Sequence, residues 1–175
     1  MSKMGLIDLG DIACSDHGKF EDFTRESNRI EGISRPPYIA EVKALKDLVR
    51  RKRVEIEHVQ KFVAVCQPGA VLRDVVSIPG VRVGTHVAPP SGPKIATDLR
   101  LLLNSIAENV RTPWSVHVAY ENLHPFTDGN GRSGRALWLW HMTLVGEQHS
   151  ALQLGFLHKF YYQTLGVDTS RLRGF

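Results

Sequence analysis

The sequence predicts a mainly α-helical domain that carries one β-hairpin. Apolar residues recur every three or four positions in several charged segments, which is the pattern of helices with one buried face. One other segment alternates apolar and polar residues around a Pro-Gly pair, which is typical of a hairpin. With 175 residues, 42% of them hydrophobic, the chain is long enough to bury the core of a single globular domain.

The first predicted helix covers residues 19–33 and ends near a glycine. One of its faces is formed by residues three or four positions apart, namely Phe20, Phe23, Ser27 and Ile30. The Ser-Arg-Pro-Pro sequence at 34–37 interrupts the helix, because proline has no N–H group to donate. We therefore predict an N-terminal segment over residues 1–36, packed on a domain formed by residues 37–175.

The rest of the chain predicts further helices around the single hairpin. Residues 38–53 and 54–65 have helical periodicity, which indicates two helices or one bent helix. The alternating segment from Val71 to Gly84 predicts the hairpin, with Pro79-Gly80 as its turn. Four more helices are predicted at residues 94–109, 112–123, 135–145 and 151–165.

Charge and cysteine content argue against several classes of protein. The net charge is +4, but apart from Arg50–Arg53 the basic residues are scattered, so nucleic acid is not a favoured partner. Cys14 and Cys66 are the only cysteines, and they have no zinc-site spacing. The sequence contains neither a run of 18 apolar residues nor a signal-peptide core. We expect a cytoplasmic protein without a membrane partner, while export by a specialised secretion system would leave no signal to read.

The segment from His124 to Arg135 (HPFTDGNGRSGR) groups residue types that handle phosphate. Glycines on both sides of an asparagine let successive backbone N–H groups converge on an anion at the start of a helix. Two arginines three residues apart share one helical face, and each can fork onto phosphate oxygens. The aspartate before the turn suits magnesium together with phosphate oxygens. The histidine can take up or release a proton near neutral pH.

This segment resembles the Fic motif, H-x-F-x-[DE]-G-N-G-R-x-x-R, and matches it at every fixed position. The resemblance implies an enzyme that transfers a nucleoside monophosphate, most often AMP from ATP, to a Ser, Thr or Tyr hydroxyl of a target protein or of itself. It implies His124 as the catalytic base and Asp128 as the ligand of Mg²⁺. The nucleotide-binding residues that it implies are Gly129, Asn130, Gly131, Arg132 and Arg135, the last of which grips the γ-phosphate.

The predicted architecture also resembles the Fic fold, in which a helical core carries a β-hairpin flap above the active site. In that family the backbone of the flap pairs with the target segment and so presents the modified side chain to the base. The candidate flap residues in this chain are Ser77, Ile78, Pro79, Gly80 and Val81. The alternative is a purely structural hairpin, since hairpins are common and this one carries no chemically reactive group.

The sequence Ser27-Asn28-Arg29-Ile30-Glu31-Gly32 is similar to the inhibitory motif of the same family, [ST]-x-x-x-E-[GN]. It lies on the predicted helix that precedes the domain, where some Fic proteins carry an inhibitory helix. The resemblance implies that Ser27 and Glu31 are inhibitory, with Glu31 pairing with Arg135 and withholding that guanidinium from the γ-phosphate. The alternative is that Glu31 is a solvated carboxylate at a helix end.

Other patterns fit the same residues less well. The spacing G-x-G-x-x-G at 129–134 also occurs in dinucleotide-binding domains, but no buried strand precedes it and no acidic residue follows about 20 positions later. An EF-hand loop is excluded by Arg132 and Leu139 at positions that need oxygen ligands. A plain polar turn accounts for residues 128–131 but not for His124 and the two arginines.

Three functions remain open at this stage. The first is magnesium-dependent AMP transfer that is autoinhibited by Glu31. The second is another Fic-type reaction, such as UMP transfer, phosphocholine transfer or removal of AMP (deAMPylation); a kinase-like variant, which has lysine in place of the second motif glycine, is disfavoured by Gly131. The third is a non-catalytic module that binds nucleotide, or that binds DNA or a partner through the basic run at 50–53. The complete set of motif residues favours an enzyme, because a binding module has no chemical need for it.

Overall fold

The computed structural model describes residues 17–83 and 86–152 of the chain. The helices in these ranges are α1 (His17–Ile30), α2 (Ile39–Val49), α3 (Ile56–Cys66), α4 (Pro93–Ala107), α5 (Pro113–Leu123), α6 (Asn130–Leu144) and α7 (Gln148–Ala151). Two short antiparallel strands, β1 (Arg82–Val83) and β2 (His86–Val87), lie between α3 and α4. The mainly helical character predicted from the sequence is therefore confirmed.

Helix α6 runs through the centre of the domain and packs against α1, α2, α3, α5 and α7. Its central residues Trp138, Leu139 and Trp140 are all buried. Since neighbours surround it on several sides, its apolar residues do not form a single stripe. The start of α6 therefore lies against the ends of several other elements, which is where the motif residues are found.

Helix α6 begins at Asn130, whereas the sequence pattern predicted a start at 135. That prediction was wrong because it left glycines outside the helix, where they are intrinsically more stable. Inside the helix, the glycines are required because other elements approach the backbone too closely for a side chain. A Cβ atom on Gly134 would lie 2.4 Å from Oε1 of Glu121 and 3.0 Å from the ring of Tyr120.

Helix α1 packs on α2 and α6, and its residues Phe20 and Phe23 belong to the same core as the rest of the domain. The charged region after it contains two separate helices, α2 and α3, so the bent-helix alternative is not adopted. The indole Nε1 of Trp140 donates a 2.8 Å hydrogen bond to the carbonyl oxygen of Arg51, which ties the α2–α3 connection to the central helix.

The hairpin lies later in the chain than predicted. Instead of turning at Pro79-Gly80, the chain pairs Arg82 with Val87 and Val83 with His86. Its amide ladder continues through one further hydrogen bond, from Ala88 N to Val81 O at 3.1 Å. The candidate flap residues 77–81 therefore precede the first strand and do not form the tip of a long hairpin.

The predicted position of the hairpin was wrong because the alternation in Val71–Val76 has a different origin. Leu72 is buried through an isolated antiparallel bridge to Phe126 in the motif loop. Val75 and Val76 are 53% and 77% exposed, and a tight turn from Val75 to Ile78 follows, closed by a 3.1 Å backbone hydrogen bond. The alternation at 71–76 therefore reflects one strand-like contact with the motif loop and not two paired strands.

Apart from its first two residues, the last predicted helix, residues 151–165, lies outside the described residues, as do residues 1–16. Among the described helices, none combines the length and the apolar character that crossing a membrane requires.

Candidate active site

His124 is the residue that ends helix α5. Its backbone is left-handed, with φ 47° and ψ 61°, and its N–H donates a 2.9 Å bond to Tyr120 O. Ring atom Nδ1 lies 3.3 Å from the carbonyl oxygen of Glu121. A carbonyl oxygen can only accept a hydrogen bond, so Nδ1 carries the hydrogen and the neutral ring keeps Nε2 as its proton acceptor.

The environment of His124 favours its neutral form. Burial lowers the pKa of the imidazole, the hydrogen bond to Glu121 O opposes this effect, and the neighbouring Arg73 and His86 lower the pKa further. The carboxylate of Asp128 acts in the raising direction but is the smallest of these influences. A general base requires a neutral imidazole whose Nε2 lone pair can accept a proton.

Asn130 holds the motif loop in shape. Its Oδ1 accepts a 2.9 Å hydrogen bond from Phe126 N, and its Nδ2 donates a 2.8 Å bond to Phe126 O. Phe126 itself is fully buried. Because both ends of the Asn130 amide bond the loop, its side chain holds the geometry of the turn, and its backbone N–H, at the start of α6, has no partner within the helix.

Two glycines open the start of α6. Gly129 has φ 75°, a left-handed conformation, and a Cβ atom on it would lie 3.1 Å from Cβ of Gln67. The first N–H groups of a helix have no carbonyl partner inside it, so they can bind an anion. At Gly131 an added Cβ would lie 2.2 Å from Oε1 of Glu31, which means that a carboxylate already lies against this bare backbone.

Asp128 is an exposed carboxylate just before this helix. Its Oδ1 accepts a 2.6 Å bond from Gly129 N, and its Oδ2 accepts a 2.7 Å bond from Gln67 Nε2. Within residues 17–83 and 86–152, no group of three or more His, Cys, Asp and Glu residues could hold a metal ion. A magnesium ion at Asp128 would therefore take most of its ligands from a nucleotide and from water. This is the usual coordination of magnesium in phosphate-transfer sites.

The two motif arginines have different neighbours. Arg132 is buried and donates to the carbonyl oxygen of Cys66 and to Oε1 of Gln67, at the end of α3. Arg135 is 1% exposed and faces α1, where its Nε donates to Ser27 Oγ at 2.9 Å and its Nη2 to Ser27 O at 3.0 Å. A three-residue step leaves about 60° between two side chains around the helix axis, and this is enough to separate their partners.

The strongest partner of Arg135 is Glu31, whose Oε1 accepts a 2.6 Å hydrogen bond from Nη2. The turn after α1 places this carboxylate. Gly32 has φ 75° and its N–H donates to Arg29 O, while the N–H of Ile33 donates to Asn28 O. This is a Schellman motif, in which Glu31 is the C-cap residue of the helix. The contact predicted from the inhibitory motif is thus present, and it lies directly over the start of α6.

Three residues of this region were missed in the sequence. Gln67 bonds both Asp128 and Arg132, and Arg73 bonds the carbonyl oxygen of His124. Burial raises the pKa of Glu121 to about 7, with Arg135 lowering it and Glu31 raising it. No spacing rule marks Gln67, and Arg73, followed by Asp74, fits an exposed position equally well, because arginine is rarely buried unless it is paired.

Comparison with known proteins agrees with the geometry. The model of the Fic/DOC family matches residues 52–142, more than half of the chain. The matched range contains the entire motif and the hairpin, whereas helix α1 lies before it. No curated protein gives a significant match to the chain.

Proposed function

The chain belongs to the Fic/DOC family, and we propose that it transfers AMP from ATP to a hydroxyl group of a target protein, with magnesium as cofactor. Family membership indicates a Fic-type transferase with a nucleotide substrate and a protein target. The single observation that carries the finer proposal is the meeting of three features in one place. These are the neutral base of His124, the glycine-lined start of α6, and the buried guanidinium of Arg135.

The phosphates of ATP would bind at the start of α6. The helix dipole and the first unpaired N–H groups favour negative charge there, and Gly129 and Gly131 keep side chains out of the way. Arg135 would hold the γ-phosphate and Arg132 would support the outer phosphates from the α3 side. Asp128 would hold magnesium, which when bound neutralises charge on the phosphate oxygens.

His124 would act on the incoming hydroxyl. Nε2 takes the proton as the hydroxyl oxygen forms a bond to the α-phosphorus, and the bond from that phosphorus to the β-phosphate bridging oxygen breaks. Pyrophosphate leaves and AMP remains on the target. The step needs no covalent enzyme intermediate, because positioning and charge neutralisation account for most of the catalysis of phosphate transfer.

Glu31 would keep the enzyme in a low-activity state. Its carboxylate stands at Gly131 and on Arg135, the two places that the outer phosphates require. A carboxylate and a phosphate both bind arginine through forked hydrogen bonds, so they compete for the same donors. ATP would then bind either poorly or with its α-phosphate misaligned for attack.

The target would align along the hairpin region. Residues 77–81 lie immediately before β1, and Ser77, Pro79 and Gly80 are exposed. Exposed backbone beside a two-stranded pair can accept a further extended segment. The expected acceptor is a Ser, Thr or Tyr side chain on a flexible segment of the target or of the protein itself.

The test uses the Glu31→Gly variant with magnesium and ATP labelled at its α-phosphate. It measures transfer of labelled AMP to proteins of a cell lysate and to the enzyme itself. Peptide mass spectrometry should find the mass of AMP on a hydroxyl side chain. The control is Glu31→Gly combined with His124→Ala, which should give no label. Label from UTP or from a phosphocholine donor in place of ATP would replace AMP as the transferred group, and labelling that persists without His124 would overturn the mechanism.

A further inference from the structure

Arg73 is a fully buried arginine next to the proposed base. Its guanidinium donates to the carbonyl oxygens of Leu123 (Nη2, 3.0 Å), His124 (Nε, 2.8 Å) and Pro89 (Nη1, 2.9 Å), and to Ser91 Oγ at 3.2 Å. One side chain therefore joins the end of α5 to the segment that follows β2. Arginine suits this task because its planar group has five donors in fixed directions.

The backbone of Arg73 reinforces the same connection. Its N–H bonds Pro125 O at 2.9 Å, and its carbonyl oxygen accepts from Gly92 N at 2.8 Å. One residue earlier, Leu72 forms the bridge to Phe126. The segment at 71–73 thus lies along the motif loop and places the guanidinium against the backbone of Leu123 and His124.

The end of α5 needs such a group. The last carbonyl groups of a helix have no N–H partner inside it, and buried ones require donors from elsewhere. Here Leu123 O and His124 O are satisfied by Arg73, and Asn122 O by Nε2 of His86 at 2.9 Å. His124 is also a non-glycine residue with left-handed φ, a conformation that persists only when its surroundings hold it.

We propose that Arg73 is the positioning residue of His124: it holds the left-handed turn that presents the imidazole and joins the base to the 89–91 segment that follows the hairpin. The inference rests on the proposed function, since it takes His124 as the base. Arg73 touches neither the reacting atoms nor the α6 residues assigned to ATP, so its effect falls on the alignment of the base and not on binding of the nucleotide.

The charges around His124 give a second readout. Groups that act on it are Arg73 from the 71–73 segment, His86 from β2, and Asp128 from the motif loop, besides the carbonyl oxygen of Glu121. Arg73 and His86 lower the pKa of His124, whereas Asp128 raises it. Loss of the Arg73 charge should therefore raise the pKa of His124 and move the acidic limb of the rate profile to higher pH.

The experiment compares Arg73→Gln and Arg73→Lys with the parent, all in the Glu31→Gly background. We expect kcat to fall about a hundredfold in Arg73→Gln, the order expected for a displacement of about 1 Å, with the KM for ATP unchanged. Arg73→Lys keeps the charge but not the fork, so it should retain the His124 pKa and recover part of kcat. NMR titration of the His124 ring, assigned with His124→Ala, measures the pKa without any assay of activity.

Two controls separate positioning from general effects. Arg53→Gln removes a surface arginine whose side chain is 60% exposed, and Val49→Ala weakens the core within α2. Neither variant should change the His124 pKa. In folded protein, neither should lower kcat while the KM for ATP stays unchanged.

A folded Arg73→Gln variant with unchanged kcat and unchanged His124 titration would overturn the proposal. If Arg73→Gln does not fold, Arg73→Lys decides, because full kcat in that variant would show that the fork is not needed. Failure of the proposed function is seen separately, as activity that survives His124→Ala.

Discussion

The Glu31 carboxylate accepts a 2.6 Å hydrogen bond from the Arg135 guanidinium, between residues 104 positions apart in the chain. Arg135 is almost fully buried, whereas the Glu31 side chain is 37% exposed. A buried guanidinium needs an anionic or polar partner at all times. Under the proposed function, Glu31 would be the partner that is replaced, and a phosphate group of the nucleotide would take its place.

Removing the Glu31 carboxylate should activate the enzyme. Glu31→Gly and Glu31→Gln free Arg135 for the γ-phosphate, and a charge-assisted hydrogen bond of about 1.5–3 kcal/mol corresponds to roughly a ten- to hundredfold rise in transfer. The measurement is the initial rate of labelled AMP transfer. Glu21→Gln is the matched control, because Glu21 lies on the same helix but pairs with Arg25. Equal rates for wild type and the Glu31 variants would exclude autoinhibition by this contact.

Replacing the base should separate catalysis from binding. His124→Ala is expected to abolish transfer in the Glu31→Gly background and to leave ATP affinity within about twofold, since the imidazole acts on the hydroxyl and not on the phosphates. Calorimetric titration with ATP and magnesium gives the affinity. A large loss of affinity in this variant would assign His124 to the nucleotide instead.

Arg135 should be required even without inhibition. Arg135→Ala in the Glu31→Gly background is expected to lower transfer, because the γ-phosphate loses its donor and the α-phosphate is no longer aligned. Thermal unfolding should be measured alongside, since Arg135 also holds Ser27 and its loss loosens α1. If this variant were folded and more active than its parent, the arginine would serve inhibition alone.

The metal assignment predicts a specific loss at Asp128. Asp128→Asn keeps the acceptor for Gly129 N but removes the negative charge, so ATP affinity should become nearly independent of magnesium. Calorimetry with and without magnesium measures this difference in both proteins. The same magnesium dependence before and after substitution would place the metal ligand elsewhere.

Stability in acid should depend on His141, which is fully buried with no hydrogen-bond partner for either ring nitrogen among the described residues. Burial lowers its pKa in the folded state. As the pH falls, the unfolded chain therefore takes up the proton before the folded chain does. The free energy of unfolding should fall as the pH drops below about 6.5, and this contribution should be complete above that pH.

His141→Leu should remove this component of the pH dependence and leave stability at pH 8 equal or higher, because an unpaired polar group leaves the core. Urea unfolding between pH 5 and 8 measures it. His149→Leu, at an exposed histidine, is the control. A parallel loss of stability in acid for wild type and His141→Leu would show that His141 does not contribute.

Sequence and structure determined different parts of this protein. The candidate phosphate-binding residues could be found in the sequence because they lie within twelve adjacent positions, and adjacent residues stay together in any fold. Helices with a one-sided apolar face were predicted for the same reason, since that pattern is local. The Glu31-Gly32 helix end also follows from local chemistry, as glycine is favoured where a helix stops in a left-handed residue.

Only the tertiary structure decided the partners of these residues. Arg132 and Arg135 turn to different elements, Gln67 joins Asp128 to Arg132, and Arg73 supports His124 across about fifty positions of the chain. The hairpin was misplaced because alternation reports burial on one side and not the identity of the pairing strand. Such contacts depend on which surfaces meet when the helices pack, and the spacing of residues along the chain does not contain that information.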